Sequence, residues 1–217
     1  MAKRVHRCSC ALGHILGLPG DCDGGTVSDP VHISDRAGTL PYKVAVLCYL
    51  RDPDGRVLLL HRRKAPNPGM YSPIGGKLEM ALGEGPHECA LREIREEVEL
   101  DLGPDEIRLC GMVSEKGYEG HAHWLIFLFE VVRPVDPSEI PRMEFDEGVL
   151  EWIEAERVAD LPIPRTDREI MWPAVESHRG GFFAVHIDCD EDDSDGDLRW
   201  RMNESVPNAD GEASSAG

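Results

Sequence analysis

The segment Pro86 to Leu100, PHECALREIREEVEL, constrains this chain more than any other. Leu91, Ile94 and Val98 recur at spacings of three and four, the period of a helical stripe that faces a core. Glu93, Glu96 and Glu97 recur at the same spacings on another face. Pro86 suits the first helical turn, where its missing N–H would have no partner. Like charges so placed destabilise an isolated helix by about 0.2–0.5 kcal/mol per pair, a cost that a cation between them removes. Hard oxygen donors on one face suit Mg²⁺ or Mn²⁺, and no paired His or Cys stands here to suit zinc. The same run also reads as a solvated glutamate-rich face, and the helix alone does not decide between the two.

The preceding loop does. Between Pro66 and Gly85 lie Gly69, Gly75, Gly76, Gly83 and Gly85, and Gly75-Gly76-Lys77 marks a place where backbone must come close to something. Glu84 precedes Arg92 by eight positions. Here the chain resembles the Nudix family, whose signature is G-x5-E-x7-R-E-U-x-E-E-x-G-U with U aliphatic. Glu84, Arg92, Glu93, Ile94, Glu96, Glu97 and Leu100 match it in order and spacing. Two departures stand out. Seven residues, Lys77 to Gly83, separate Gly76 from Glu84 where the family has five, an insertion of two around Met80 to Leu82. Glu99 replaces the glycine that ends the family's helix, so the helix is expected to run on toward Gly103.

The resemblance implies an α/β fold, a Nudix-type α/β/α sandwich with a mixed β-sheet. It implies a Mg²⁺-dependent hydrolase, with Mn²⁺ as a substitute, that cuts a phosphoanhydride bond in a nucleotide-like substrate. By position, Glu93, Glu96 and Glu97 are metal ligands and Gly76 offers its carbonyl; Arg92 and Glu84 pair and brace loop against helix. Lys77, in the same loop, is assigned to substrate binding. Metals in such a site neutralise charge at phosphorus and lower the pKa of bound water, and a carboxylate beside that water takes its proton. Glu96 or Glu97 serves in that step, or Glu147 does from a later loop. Glu147 also reads as a further ligand or as a plain turn acid on the surface.

The segment Leu150 to Trp172 is similar to the closing portion of the MutT-like branch, which hydrolyses nucleoside triphosphates, often of oxidised purines, to monophosphate and pyrophosphate. In that branch an acid near the last helix can hydrogen-bond the base, and Asp167 stands at about that place; on spacing alone, Thr166 or Asp167 is a helix N-cap. Trp124 and Phe127 are candidates for base stacking or for the core. Tyr118 supports a rival within the family, dinucleoside polyphosphate cleavage. A non-catalytic nucleotide-binding Nudix module is a further alternative, favoured only by the Met80 to Leu82 insertion.

The remaining organisation follows from composition. The 217 residues suit one globular domain with flexible ends. Residues 1–38 read as an N-terminal extension, 39–180 as the hydrolase domain and 186–217 as an acidic disordered tail, since Asp and Glu crowd the stretch from Asp188 to Asp197. A formal charge of −18 argues against a nucleic acid polymer as partner, and no apolar run reaches the ~20 residues that span a bilayer. A small nucleotide is the expected partner, a homodimer is compatible, and the expected compartment is the cytoplasm. The seven cysteines form no regular framework and suit reduced thiols. Cys8, Cys10, His14 and Cys22 could ligate zinc, but an arm with incidental thiols explains them as well. Met1 to Leu18 loosely imitates a secretory signal that His14 and nearby glycines dilute.

Strands are expected at Tyr42 to Tyr49 and Val57 to Leu60, a hairpin-like pair around the turn Asp52-Pro53-Asp54-Gly55. Further strands are expected at Ile107 to Val113, Trp124 to Val132 and Val149 to Ile153, and helices at Glu154 to Asp160 and Asp167 to Ser177, the last kinked at Pro173.

Overall fold

The computed structural model describes residues 40–65, 67–189 and 198–208. The zinc and signal readings of residues 1–38 lie outside them. Strand β1 (Tyr42–Tyr49) alternates toward two cores: Val46 and Cys48 face one, Leu47 and Tyr49 the other. Strand β5 (Ala122–Val131) runs parallel to it, and β4 (Ile107–Tyr118) runs antiparallel to β5. Strand β8 (Phe182–Asp188) is parallel to β4 and carries β9 (Arg199–Val206) antiparallel on its other side. The result is a five-stranded mixed sheet, ordered β1-β5-β4-β8-β9. A second, antiparallel sheet holds β3 (Tyr71–Ser72), β2 (Val57–Arg62), β7 (Gly148–Ile153) and β6 (Glu144–Phe145). Helix α1 (Pro86–Val98) packs Cys89, Ala90, Ile94 and Val98 into the first core. The segment Asp167–Met171 and helix α2 (Trp172–Ser177) fill the second with Ile170, Met171, Trp172 and Val175.

β1 and β2 do not form a hairpin; they belong to different sheets. The turn chemistry between them is real. Asp52 is buried, and its Oδ1 accepts the N–H groups of Asp54 and Arg56 at 3.0 and 2.9 Å. Beyond that turn only a short connection remains, with Leu58 N–H donating to Leu50 C=O at 3.0 Å. Val57 to Leu60 are all buried because Leu58 and Leu60 face the first core while Val57 and Leu59 face the second. A strand covered on both faces pairs where both layers can be filled, which a local turn cannot dictate.

Helix α1 stops at Val98 instead of continuing toward Gly103. Glu99 itself takes the left-handed conformation, φ 57° and ψ 27°, and its N–H closes on Arg95 C=O at 3.2 Å. A side chain there costs about 1–2 kcal/mol that glycine would not. Its carboxylate meets Arg142 at 2.9 Å on the surface, which offsets little. Glu99→Gly is therefore expected to stabilise the fold by about 1 kcal/mol, read as a rise in the urea midpoint at unchanged slope; a fall would refute it.

The C-terminal region also departs from expectation. Arg199–Val206 is a strand, and β8 extends to Asp188, so the described part of the acidic tail is sheet. The physical reason is pairing with β8 along seven positions, with Leu198 and Met202 packed against the second core. The expected helix at Glu154 to Asp160 is a 3-10 segment, Ala155–Asp160. The irregularity expected at Pro173 precedes it: Asp167–Met171 is a π-turn, with Trp172 N–H donating to Asp167 C=O. The wider turn lets the chain enter α2 with proline in its first turn, where no N–H is required.

Candidate active site

The loop from Ile74 to Leu78 lies along the free edge of β1. Cys48 N–H donates to Ile74 C=O at 2.7 Å, Val46 N–H to Gly76 C=O at 2.9 Å and Leu78 N–H to Val44 C=O at 3.1 Å. Its two glycines are required by contact. At Gly75, whose φ is 149°, a Cβ would stand 2.2 Å from Val46 O; at Gly76 it would stand 2.3 Å from Glu93 Oε1. The loop thus presses directly on the carboxylates of α1.

Those carboxylates divide into two kinds. Glu93 and Glu97, one turn apart, are buried at 8% and 7% exposure, whereas Glu96 stands at the rim with its side chain 56% exposed. Glu97 Oε2 accepts the Gly75 N–H at 3.0 Å, yet burial, with Glu93 adding, pushes its pKa up to about 8. Burial also raises that of Glu93, against the pull of Arg92. Arg92 ties the group together. Its Nε and Nη2 donate to the two oxygens of Glu84 at 2.7 and 3.0 Å, and its Nη1 to Glu93 Oε1 at 2.7 Å and Glu96 Oε2 at 3.1 Å. Its Nη2 also reaches Lys77 C=O at 3.2 Å. The Arg92 bond, with the Glu79 N–H, holds Glu84 down at about 2. The inserted residues Met80–Leu82 form an outward 3-10 turn with none of them buried, so the insertion leaves Glu84 beside Arg92.

A cleft of about 950 Å³ opens over this wall. Gly76, Lys77, Glu93, Glu96, Glu97, Glu147 and Asp167 all line it, as do Trp124 and Tyr118. Arg92 is not among the lining residues; it acts from behind the carboxylates. Glu147 lies in the turn between β6 and β7, 48% exposed at its side chain and 3.8 Å from Arg62. The ring of Trp124 carries the ammonium groups of Lys43 and Lys77 at 5.0 and 5.8 Å from its centroid, and Phe127 packs against the first core. Thr166 makes no side-chain cap, so the plain N-cap reading fails there.

The residue that sequence reasoning missed is Glu115, 4% exposed on the cleft wall. Burial raises it to about 7, and Asp167, also raised chiefly by burial and then by Glu115, to about 8. A signal existed: on β4 the buried positions Gly111, Val113, Glu115 and Gly117 share one parity, which a longer strand assignment would have shown.

Carboxyls with raised pKa values have a consequence for stability. Unfolded, Glu97, Glu115 and Asp167 titrate near 4; folded, near 7 to 8. Their contribution is full below the unfolded values and is lost as pH rises through the folded ones. The metal-free protein is expected to lose stability steadily as pH rises from 5 to 8.5, read by urea unfolding, and a flat or rising profile over that range would refute the assignment. Glu84, held near 2, does not change charge in that window.

The donor set fits a hard divalent cation. Two buried, mutually repelling carboxylates share one wall, and the cradle at Gly76 admits no Cβ beside Glu93. Among the described residues no three acid, His or Cys side chains are already gathered into a cage. The Gly76 carbonyl accepts the Val46 N–H, which leaves it one further lone pair. No helix among the described residues is long and apolar enough to cross a membrane.

Solved structures share this architecture. A mutator MutT protein from Bacillus halodurans is 26% identical, with 74% of this chain and 97% of that one covered at a TM-score of 0.57. A MutT protein from Methanosarcina mazei Go1, 21% identical with 64% and 97% covered, superposes at 0.50 and shows the fold. So does the Nudix domain of Shewanella oneidensis NrtR, complexed with ADP ribose, at 14% identity, 64% and 88% coverage and a TM-score of 0.50. The NUDIX domain profile matches residues 41–172, which takes in both sheets' central strands, the glycine loop and the glutamate helix, and the chain belongs to the Nudix family of pyrophosphohydrolase-type hydrolases.

Proposed function

We propose that this protein is a Mg²⁺-dependent hydrolase that cleaves a phosphoanhydride bond of a nucleoside diphosphate-linked substrate, a nucleoside triphosphate in the first instance, giving monophosphate and pyrophosphate. The observation that carries this reading is the pair of buried carboxylates, Glu93 and Glu97, on the wall of a cleft of about 950 Å³, at the upper end of the volume that a small-molecule ligand occupies. Glu93, Glu96 and Glu97 would hold the metal, with Gly76 C=O beside them. Bound there, Mg²⁺ supplies charge neutralisation at phosphorus and a lowered pKa for coordinated water.

The chain's own residues do the rest. Arg92 fixes the rotamers of Glu84, Glu93 and Glu96 through one guanidinium, so the carboxylates are oriented before substrate arrives. Gly75 N–H holds Glu97 from the other side. Lys77, projecting from the same loop into the cleft, meets the anionic phosphates. Glu147, at the exposed rim of the cleft near Glu93 and Glu97, would take the proton of the attacking water, or Glu96 would do so from the helix; its place in the cleft lining supports this reading. Asp167 lies in the cleft lining where a base can be held. Tyr118 also lines the cleft, which keeps a dinucleoside polyphosphate within the substrate range.

Incubation of the full chain with Mg²⁺ and a panel of nucleoside triphosphates, diadenosine polyphosphates and ADP-ribose, with products identified by mass, tests the reading. Release of pyrophosphate and monophosphate is the expected result. Binding without turnover for every member would leave a nucleotide-binding module instead.

A further inference from the structure

The two edges of the large sheet differ. At β1 the glycine loop takes up the outer backbone groups, through the bonds of Val46, Cys48 and Leu78. At the other end β9 is the last strand in the order, and among the described residues no strand pairs with its outer side. All of β9 except Met202 is exposed, with Trp200 at 51% and Val206 at 53%. An open edge of eight residues is a template for a further strand.

β9 carries an irregularity that sorts its side chains. Ala184 faces Glu204 and Val185 faces Met202, so Asn203 is an extra residue, a bulge. Arg199, Arg201, Glu204 and Val206 therefore share one face of the sheet, while Trp200, Met202 and Ser205 share the other, where His178 Nε2 meets Ser205 Oγ at 2.8 Å. Asn203 Oδ1 accepts Arg201 Nε at 3.0 Å, which sets the guanidinium near the middle of the strand.

These positions match their own two-fold image. When β9 lies antiparallel to β9 of a second copy, with the axis between Met202 and Asn203, Arg199 faces Val206, Trp200 faces Ser205 and Arg201 faces Glu204. Each pair lies on one face of the joined sheet, and symmetry repeats it, so two opposite-charge pairs flank the axis. A shift of one residue sets Trp200 against Glu204 or Val206, side chains of opposite faces. A shift of two shortens the overlap and takes Arg201 away from Glu204. Arginines and a bulge ordinarily blunt an edge. On this strand the charges are of both signs, and the bulge meets its own image.

We propose that β9 is a homodimer interface: two copies of this chain join edge to edge in antiparallel register, with Arg201–Glu204 pairs on either side of a two-fold axis. This goes beyond the hydrolase reading and does not depend on it, because β9 lies outside the matched residues 41–172 and does not line the cleft. The charge of −18 on each chain repels a second copy at long range. The local match therefore carries the association, which is weak and is favoured at physiological salt, where exposed charges are screened beyond about 8 Å.

Sedimentation equilibrium of the full chain over a range of protein concentrations tests the proposal. The mass is expected to rise from that of one chain to that of two. Arg201→Glu and Glu204→Arg each set like charges opposite one another twice. Each is expected to raise the dissociation constant at least about tenfold at an unchanged thermal midpoint. Combining the two substitutions in one chain should bring association back. An equimolar mixture of the two single variants should do the same, since each supplies the charge that the other needs. Hydrogen exchange of the parent, which depends on no variant folding, should show amide protection in β9 growing with concentration. A mass of one chain throughout would overturn the proposal. So would single reversals that leave dissociation unchanged, a folded double variant or mixture that stays monomeric, or concentration-dependent protection that spares β9.

Discussion

Glu97→Gln is expected to lower kcat/KM for a nucleoside triphosphate by at least about 10³, the largest effect of any single isosteric change in this chain. The amide keeps the shape of the side chain and can still accept the Gly75 N–H through Oε1, so loop and helix stay in place. What disappears is a negative charge at a buried position beside Glu93. Two readouts separate this from unfolding. The metal-free variant should be at least as stable as the parent, because burial already disfavours the charged form of Glu97. Its stabilisation by Mg²⁺ should shrink, since binding to the native state raises stability only as far as affinity allows. A rate within tenfold of the parent, with metal-dependent stabilisation intact, would remove Glu97 from the ligand set.

Arg92→Ala should act on both fold and activity. The Arg92 side chain is 21% exposed and its guanidinium contacts Glu84, Glu93, Glu96 and Lys77 C=O, so its loss leaves Glu84, 11% exposed at its side chain, without its bidentate partner. A stability loss of about 2–4 kcal/mol follows, somewhat below the range for a fully buried pair because water reaches part of this one. Metal affinity should fall about 10–100-fold, as for other residues that orient ligands without touching the ion. Arg92→Lys should recover part of the charge but not the fork that grips both oxygens of Glu84. Lysine restoring full stability and full metal affinity would show that charge alone matters, contrary to the geometry.

Much of the candidate site was legible because its residues lie close in the chain. The spacing of Glu84, Arg92, Glu93, Glu96 and Glu97 is held by a loop and one helix, so pattern and geometry coincide. Even so, the helical period treated the three glutamates alike, whereas the covering loop buries Glu93 and Glu97 and leaves Glu96 at the rim. Glu115 was not legible for a different reason. Its importance arises where β4 passes the π-turn at Asp167, a meeting of distant segments, and its neighbours Ser114 and Lys116 make the run look like a polar strand end. β9 was hidden by composition: the aspartates between Asp188 and Asp197 drew attention from Arg199–Val206, whose pairing with β8 depends on no local signal. The expected hairpin of β1 and β2 fails likewise: the Asp52 turn is present, but the sheet each strand joins is settled by two cores. At Glu99, the expected extension of the helix assumed that a non-glycine residue avoids left-handed geometry, and this one does not.

The outward turn at Met80–Leu82 bears on how chains of this kind are traced through descent. Two residues were accommodated between Gly76 and Glu84 without disturbing the grip of Arg92 on Glu84 or the contact of Gly76 with Glu93. The stretch between those anchors can therefore drift in length, while Glu84 to Glu97 must keep its count because one rigid helix measures it. A search pattern that fixes the distance from glycine to glutamate would pass over lineages with an intact carboxylate wall. One that lets that distance float, and holds the helix invariant, would recover them.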